Sequence, residues 1–350
     1  MGCDIDYFME KRLLISPTLK NVADLANVSI PIVSKVLSGN SEVRVSSDTR
    51  QRILEAAKSL AYRPNSLAKS LKLKRTYTLA VIMPDIGNPV IPEIIRGIEA
   101  GARAAGYSAF ISHLDIKVVS ERLYLAWLQE GRFDGLIIAT SQVEDAIIQD
   151  LVASGRPFVL VNRRESSTNM HVTIDDAAGA RIAVKHLVEL GHRRIAHLAG
   201  PLMFDTSLRR LQGYRQELDS QGIAYDSSLV QEYEWDTWEA GKLAMKRLLQ
   251  VKNPPTAVFA GNLMGAVGAL SALKETGVKV PEEISLIGLH DSPIAEVLDP
   301  HLTVVKMPLR EMGRCAAEIL TNLLENKPCL IPQVLPPDRL IIRQSTALCR

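Results

Sequence analysis

The chain is 350 residues long, 47% hydrophobic and 23% charged, with 41 Lys and Arg against 39 Asp and Glu. This is globular composition with ample material for a core, and the length suits two or three domains; a disordered, collagen-like or disulfide-scaffold chain is excluded. The longest apolar runs, such as Leu79–Met83 and Gly135–Ala139, fall far short of the ~18 residues a membrane span needs, no signal-peptide order opens the chain, and Cys3, Cys315, Cys329 and Cys349 show no CxxC spacing, so a cytoplasmic protein without a membrane partner is expected.

The near-neutral total hides an asymmetry. Residues 1–75 hold 13 Lys and Arg against 7 Asp and Glu, whereas residues 76–350 hold 28 against 32. A basic head on an acidic body suits a DNA-binding module joined to a regulatory domain, although a solvated basic face would give the same balance.

Residues 1–17 fit no pattern and read as an N-terminal extension. Within 18–64, Thr18 is placed to N-cap a first helix with Leu19, Val22 and Ala26 on one face. Ala26-Asn27-Val28-Ser29 supplies a tight turn, with Asn27 suited to the left-handed conformation. Ser29 is placed to cap a second helix, Pro31 sits in its first turn, and Val33, Val36 and Leu37 face inward until Ser38-Gly39-Asn40 stops it. Ser46 caps a third helix with a stripe of Ile53, Leu54, Ala57 and Leu60, ending at Tyr62-Arg63-Pro64. Three short helices with a tight turn between the first two form a helix-turn-helix, the signature of a major-groove reader, against the alternative of a generic bundle. Residues 65–76 follow as a hinge. The stretch Asn65–Arg75 is basic and too short for a stable isolated helix, so a partner must order it, unless it is a plain linker. Its Lys residues suit phosphates and its Leu residues suit minor-groove wedging.

From residue 77 onward, short β-rich runs alternate with amphipathic helical stretches. Expected strands are Leu79–Met83, Ser108–Ser112, Gly135–Ala139, Phe158–Asn162, Val172–Ile174, Arg194–Ala199, Ala257–Ala260, Ser285–Gly288 and Thr303–Met307, with helices such as Pro92–Ala105 and Ala177–Leu190 between them. Such alternation over more than 250 residues predicts two doubly wound parallel sheets, an α/β body behind an all-α head. Ligands in these folds bind beyond the carboxyl ends of the strands. The polar residues there are Asp85, Asn88, Asn162, Arg163, Arg210, Asn262, His290 and Asp291. For Asp85, Asp291 and Asn162, capping or turn duty is an equal alternative; a lone Arg such as Arg210 most simply meets a ligand oxygen in a forked hydrogen bond.

Enzyme signatures are absent. No two glycines stand two apart, so there is no GxGxxG, and GxxxxGK[ST], GxSxG and HExxH are missing as well. The seven His and four Cys lack metal-ligand spacing, so neither catalysis, metal nor cofactor is expected.

The segments TLKNVADLANVSIPIVSKVLSG (Thr18–Gly39), VSSDTRQRILEAAKSLAYRPNSLAKSLK and LAVIMPDIGNPVIPEIIRGIEAGARAAGY, followed by FDGLII, HLVELGHRRIAHLAG, IGLHD and LIIRQST in order, resemble the lactose-repressor (LacI/GalR) family of bacterial transcription regulators over roughly residues 18–346. The resemblance implies a two-lobed core like a periplasmic sugar-binding protein, with lobe 1 at 77–174 and 303–334, lobe 2 at 175–302 and 335–350, and crossings near Asp175, Leu302 and Leu335. It implies effector contacts at Asn88, Asn162, Arg210, Asn262 and His290, with a wall near Trp235 and Val90. It places Ile30, Pro31 and Lys35 toward base edges and Thr18, Ser29 and Ser34 at phosphates or caps. In the hinge, beginning at Asn65, it makes Leu71 the minor-groove wedge, with Ala68 and Leu67 packing hinge against hinge. A homodimer on a palindromic operator, released by a small effector, is the expected mechanism. The expectation of a dimer rather than a tetramer comes from the lack of a heptad helix after the last strand. Two departures stand out: Asn262-Leu263 where the family usually has Asn-Asp, and His290-Asp291 where it usually has Asp-Asp. With Arg163 and Arg210 nearby, these tilt the expected effector from a sugar toward a sugar acid. A free-standing sugar-binding protein and an α/β enzyme are the competing classes; the basic head opposes the first and the missing motifs the second.

Overall fold

The structure, a computed structural model, describes residues 17–37, 44–63, 75–84, 86–113, 122–139, 146–233 and 237–350. The expected helix stop at 38–40, the hinge residues Asn65, Ala68 and Leu71, and the site candidates Asp85 and Trp235 lie outside them, as does all of the N-terminal extension but Pro17. The chain divides into two compact units, 1–76 and 77–350.

In the first unit, helices α1 (Leu19–Ala26), α2 (Ile30–Leu37) and α3 (Ser47–Ser59) enclose Val22, Ala23, Ala26, Val33, Val36, Ile53, Ala56 and Ala57. Thr18 caps α1 in a capping box: its Oγ1 accepts from the Asn21 amide, while Asn21 Oδ1 accepts from the Thr18 amide. Asn27 takes the left-handed conformation (φ 53°, ψ 50°) that turns the chain from α1 toward α2. Ser46 caps α3 by accepting the Thr49 amide at 3.1 Å. Two expectations for α3 are corrected. Leu54 is 47% exposed, because Ala56, not Leu54, completes the inward stripe with Ile53 and Ala57. The helix also stops at Ser59, before the proline: Tyr62 N–H bonds the Ala57 carbonyl and Ala61 N–H the Lys58 carbonyl, closing a Schellman turn. Its left-handed position holds Ala61 (φ 48°), where glycine is usual.

The second unit holds two six-stranded sheets. The first orders β2 (Ser108–His113), β1 (Thr78–Met83), β3 (Gly135–Ile138), β4 (Phe158–Val161), β5 (His171–Ile174) and β11 (Gln333–Leu335), all parallel. The second orders β7 (Val230–Glu232), β6 (Ile195–Gly200), β8 (Ala257–Ala260), β9 (Ser285–Leu289), β10 (Thr303–Lys306) and β12 (Arg339–Ile341). It is parallel except that β12 runs antiparallel to β10. Both sheets therefore reverse strand order beside their first strand, the doubly wound pattern that opens a crevice at the carboxyl ends.

Strand residues alternate between two apolar layers. Leu79, Val81 and Met83 of β1 join one cluster, while Ala80 and Ile82 join another; Ala257 and Phe259 of β8 oppose Val258 and Ala260 in the same way. A sheet covered on both faces needs apolar residues at every position, which is why these strands read as continuous hydrophobic runs. The three strands absent from the sequence reading, β7, β11 and β12, are edge strands of three residues each with partly exposed side chains, and neither length nor alternation marks them.

Sheet membership also corrects one crossing. Strand β10 pairs with β9 and β12 in the second sheet, so the return to the first lobe follows Lys306 and not Leu302. That return is anchored by α12 (Leu309–Leu324), which packs against α4 (Ile91–Ala104). Their backbones approach closely: a Cβ on Gly97 would stand 2.0 Å from the Arg310 carbonyl oxygen, and one on Gly313 would stand 2.1 Å from that of Ile94.

Candidate functional site

On the first unit, α2 turns Val33 and Val36 inward and leaves Ile30, Pro31, Ser34 and Lys35 exposed on its outer side. Ser29, also exposed, starts the helix, its carbonyl accepting the amides of Ile32 and Val33. Pro31 lacks an N–H, which the first turn does not need. This face therefore offers an apolar pair, a hydroxyl and an ammonium at neighbouring helical positions, a set suited to thymine methyls, phosphate oxygens and guanine acceptors.

On the second unit, strand ends converge. After β4, Asn162 adopts φ 63°, and after β9, His290 adopts φ 71°. Left-handed backbone at non-glycine residues is costly, and here it falls at the carboxyl ends where the fold places ligands. Asn162 is half-buried, with its amide donating to the Val172 carbonyl at 2.9 Å. Arg163 is buried; its Nη1 donates to Thr206 Oγ1 at 2.9 Å, and its guanidinium lies 4.7 Å from the Phe204 ring centroid. Arg163 follows β4 of the first lobe, whereas Phe204 and Thr206 belong to the second, so this side chain ties the two lobes together.

The centre of the cluster is Asp176, only 1% exposed, in the first turn of α7 (Asp176–Glu189). Its Oδ1 accepts from Arg210 Nε at 2.8 Å and its Oδ2 from Arg209 Nη2 at 2.7 Å; both arginines project from α8 (Asp205–Ser220). Burial pushes the Asp176 carboxyl upward, but the Arg210 and Arg209 guanidiniums outweigh it and leave it below the usual carboxylate range. Arg210 Nη2 stands 3.1 Å from His290 Nε2. Burial first, and Arg210 second, depress the His290 imidazole to about 3, so the ring is neutral at pH 7. The forked contact that the sequence assigned to Arg210 is thus engaged within the protein, on Asp176 and His290.

Other expected residues take local duties. Asn88 Oδ1 accepts the Val90 amide at 3.2 Å, turning the chain into α4. Asn262 caps α10 (Leu263–Thr276), accepting the Gly265 amide at 2.6 Å, and donates Nδ2 to the Tyr233 hydroxyl at 3.0 Å. Asp291 pairs with Arg343 at 2.8 Å, away from the arginine cluster. Asp176, Phe204, Thr206, Arg209 and Tyr233 were missed. The one signal for Asp176 is its place in Ile174-Asp175-Asp176, a carboxylate pair directly after a strand; nothing in the sequence tells that Asp175 caps the helix while Asp176 turns inward. Among the described residues, no group of His, Cys, Asp and Glu is arranged to hold a metal ion, and no helix is long and apolar enough to cross a membrane.

A helix-turn-helix unit and a two-lobed doubly wound core with polar residues gathered at its strand ends define a ligand-responsive DNA-binding regulator. Comparison with known proteins supports this class. Residues 18–65 match the lacI family of bacterial regulatory proteins, and residues 184–346 match the periplasmic binding protein-like domain. The chain is 33% identical over 334 residues to the HTH-type transcriptional regulator DegA of Bacillus subtilis, covering 94% of this chain and 98% of that protein. It is 35% identical over 338 residues to the transcriptional repressor CytR of Escherichia coli, covering 96% and 98%. Among solved structures, a lac repressor dimer bound to operator and the anti-inducer ONPF superposes with TM-score 0.83 at 28% identity, covering 95% of this chain and 99% of that one. A CelR–cellobiose complex gives 0.71 at 31% identity, covering 94% and 99%. The chain belongs to the LacI family of DNA-binding transcriptional regulators; it is not an enzyme.

Proposed function

We propose that the chain is a repressor that binds a palindromic operator as a homodimer and is controlled by a small polar effector, a sugar or sugar acid, held between its lobes. In this reading Ile30, Pro31 and Lys35 meet base edges, Thr18, Ser29 and Ser34 meet phosphates or hold the helix, and the hinge with Asn65, Ala68 and Leu71 enters the minor groove. The effector meets Asp85, Asn88, Asn162, Arg163, Arg210, Asn262 and His290, with Val90 and Trp235 forming the wall. The observation that carries the reading is the bond from Arg163 across to Thr206 and Phe204. A buried guanidinium bridging the lobes makes lobe closure sensitive to any acceptor placed between them. Linkage then requires that operator and effector alter each other's affinity by the same factor. Relatives named as repressors, and neighbours solved with operator, cellobiose or ribose, favour this over a free-standing binding protein.

Fluorescence anisotropy against the DNA upstream of the chain's own reading frame, at two salt concentrations and with and without candidate metabolites, tests it. Selective, salt-sensitive binding that a metabolite shifts is the expected result. Binding that is indifferent to both DNA sequence and metabolites would refute it.

A further inference from the structure

We infer that His290 selects the effector by hydrogen-bond polarity, presenting a fixed Nδ1–H donor that favours a carboxylate or carbonyl oxygen over a hydroxyl as its partner. The inference rests on the proposed effector site and names the chemistry of one position in it.

Asp176 sets the orientation of the cluster. Its two oxygens hold Arg209 and Arg210, and Arg210 then meets His290 Nε2 at 3.1 Å. A guanidinium has donors and no lone pair, so His290 Nε2 must be the acceptor of that bond. The ring is neutral, held so by burial and by Arg210. A neutral imidazole that accepts at Nε2 carries its proton at Nδ1. That Nδ1 is buried and has no hydrogen-bond partner among the described residues, while the residue as a whole is 3% exposed. Its backbone sits at φ 71°, with the amide bonded to the Val305 carbonyl at 3.0 Å. A strained backbone and an unmet donor therefore coincide at one residue, at the carboxyl end of a central strand.

The surroundings decide which acceptor fits. Arg210 meets the ring at Nε2, Arg209 shares Asp176 with Arg210, and Arg163 and Arg164 follow β4 on the facing lobe. All four are donors only. A sugar hydroxyl could accept from Nδ1–H, but its own proton would then face further donors. An oxygen without a proton accepts from Nδ1–H and carries no donor of its own to oppose these guanidiniums.

Two measurements on the intact chain test this. With histidines labelled in 15N, the His290 ring should show a protonated Nδ1 and an unprotonated Nε2 at pH 7, assigned by its loss in His290→Asn; the reverse tautomer or an imidazolium overturns the proposal. Calorimetric titration should then compare D-gluconate, D-ribonate and D-galacturonate with D-glucose, D-ribose and D-galactose. At least one acid should bind more tightly than its neutral parent. His290→Asp, which replaces the donor by a negative acceptor, should weaken that acid about 10–100-fold. His290→Asn, which keeps an N–H donor on a shorter side chain, should weaken that acid less than His290→Asp; His290→Leu, which has no donor, replaces the Asp variant if that fails to fold and should weaken the acid more than His290→Asn. Tighter binding of the neutral parents, binding of none of the acids, or equal acid affinity in His290→Asp overturns it. Loss of operator binding in the anisotropy assay would instead count against the regulatory reading and leaves these two readouts untouched.

Discussion

His197 gives the sharpest test of the core. It lies on β6, fully buried, stacked on Phe259 at 4.7 Å between ring centroids and on Tyr214 at 5.1 Å. Its Nδ1 donates to the Phe259 carbonyl at 3.1 Å. Burial depresses its pKa from 6.5 to about 4, with Arg210 adding to the fall and the Phe259 bond only partly opposing it. The unfolded chain therefore binds a proton below pH 6.5 that the folded chain refuses until about pH 4, and stability must fall as pH falls through that window. Between pH 7.5 and 5 the loss from this one ring is about 2 kcal/mol. Urea unfolding followed by circular dichroism at pH 7.5, 6.5, 5.5 and 5.0 measures it. His290 and the buried His171, His186 and His192 have depressed values too and add slopes of the same sign, so the wild-type fall should exceed that figure. The variant His197→Phe retains a stacking ring but cannot titrate, and its fall over the same range should be smaller by about 2 kcal/mol. Parallel pH profiles for wild type and variant would refute the reasoning.

Four further outcomes are expected. Asp176→Asn leaves Arg210 without its carboxylate in a buried site and Arg209 with Asp205 alone, and should destabilise the core by about 3–5 kcal/mol in urea unfolding. Lys35→Ala should weaken operator binding by about 1–3 kcal/mol with little effect on random DNA; an equal loss on both would make Lys35 a phosphate contact. Ala61→Gly relieves the left-handed strain at the end of α3 and should stabilise the helix-turn-helix unit by about 0.5–1 kcal/mol in thermal unfolding of the intact chain. Gly313→Ala forces a methyl group onto the Ile94 carbonyl and should destabilise the α4–α12 contact by about 1–3 kcal/mol or more, read as a lowered urea midpoint.

The arginine cluster marks where sequence reading runs out. Arg210 stands after a strand in the sequence, directly behind Arg209, but its alignment by Asp176 joins residues 34 apart, and its bond to His290 joins residues 80 apart. Arg163 reads as an anion ligand from its position after β4; its partners Thr206 and Phe204 come from the other lobe, and no local pattern links them.

What the sequence determined by itself is whatever local chemistry dictates. The caps at Thr18 and Ser46, the left-handed Asn27, the apolar runs of the central strands and the helices between them all follow from groups within a few residues of one another. Strands covered on both faces announce themselves because every position must be apolar. The edge strands β7, β11 and β12, the lobe crossing after Lys306, and the division of labour between Asp175 and Asp176 were decided only by the tertiary structure. Each depends on which distant surface a residue meets. A carboxylate, an imidazole or a three-residue extended segment carries no local mark of that partner; folding supplies the low-dielectric surroundings in which its charge, tautomer and pairing are set.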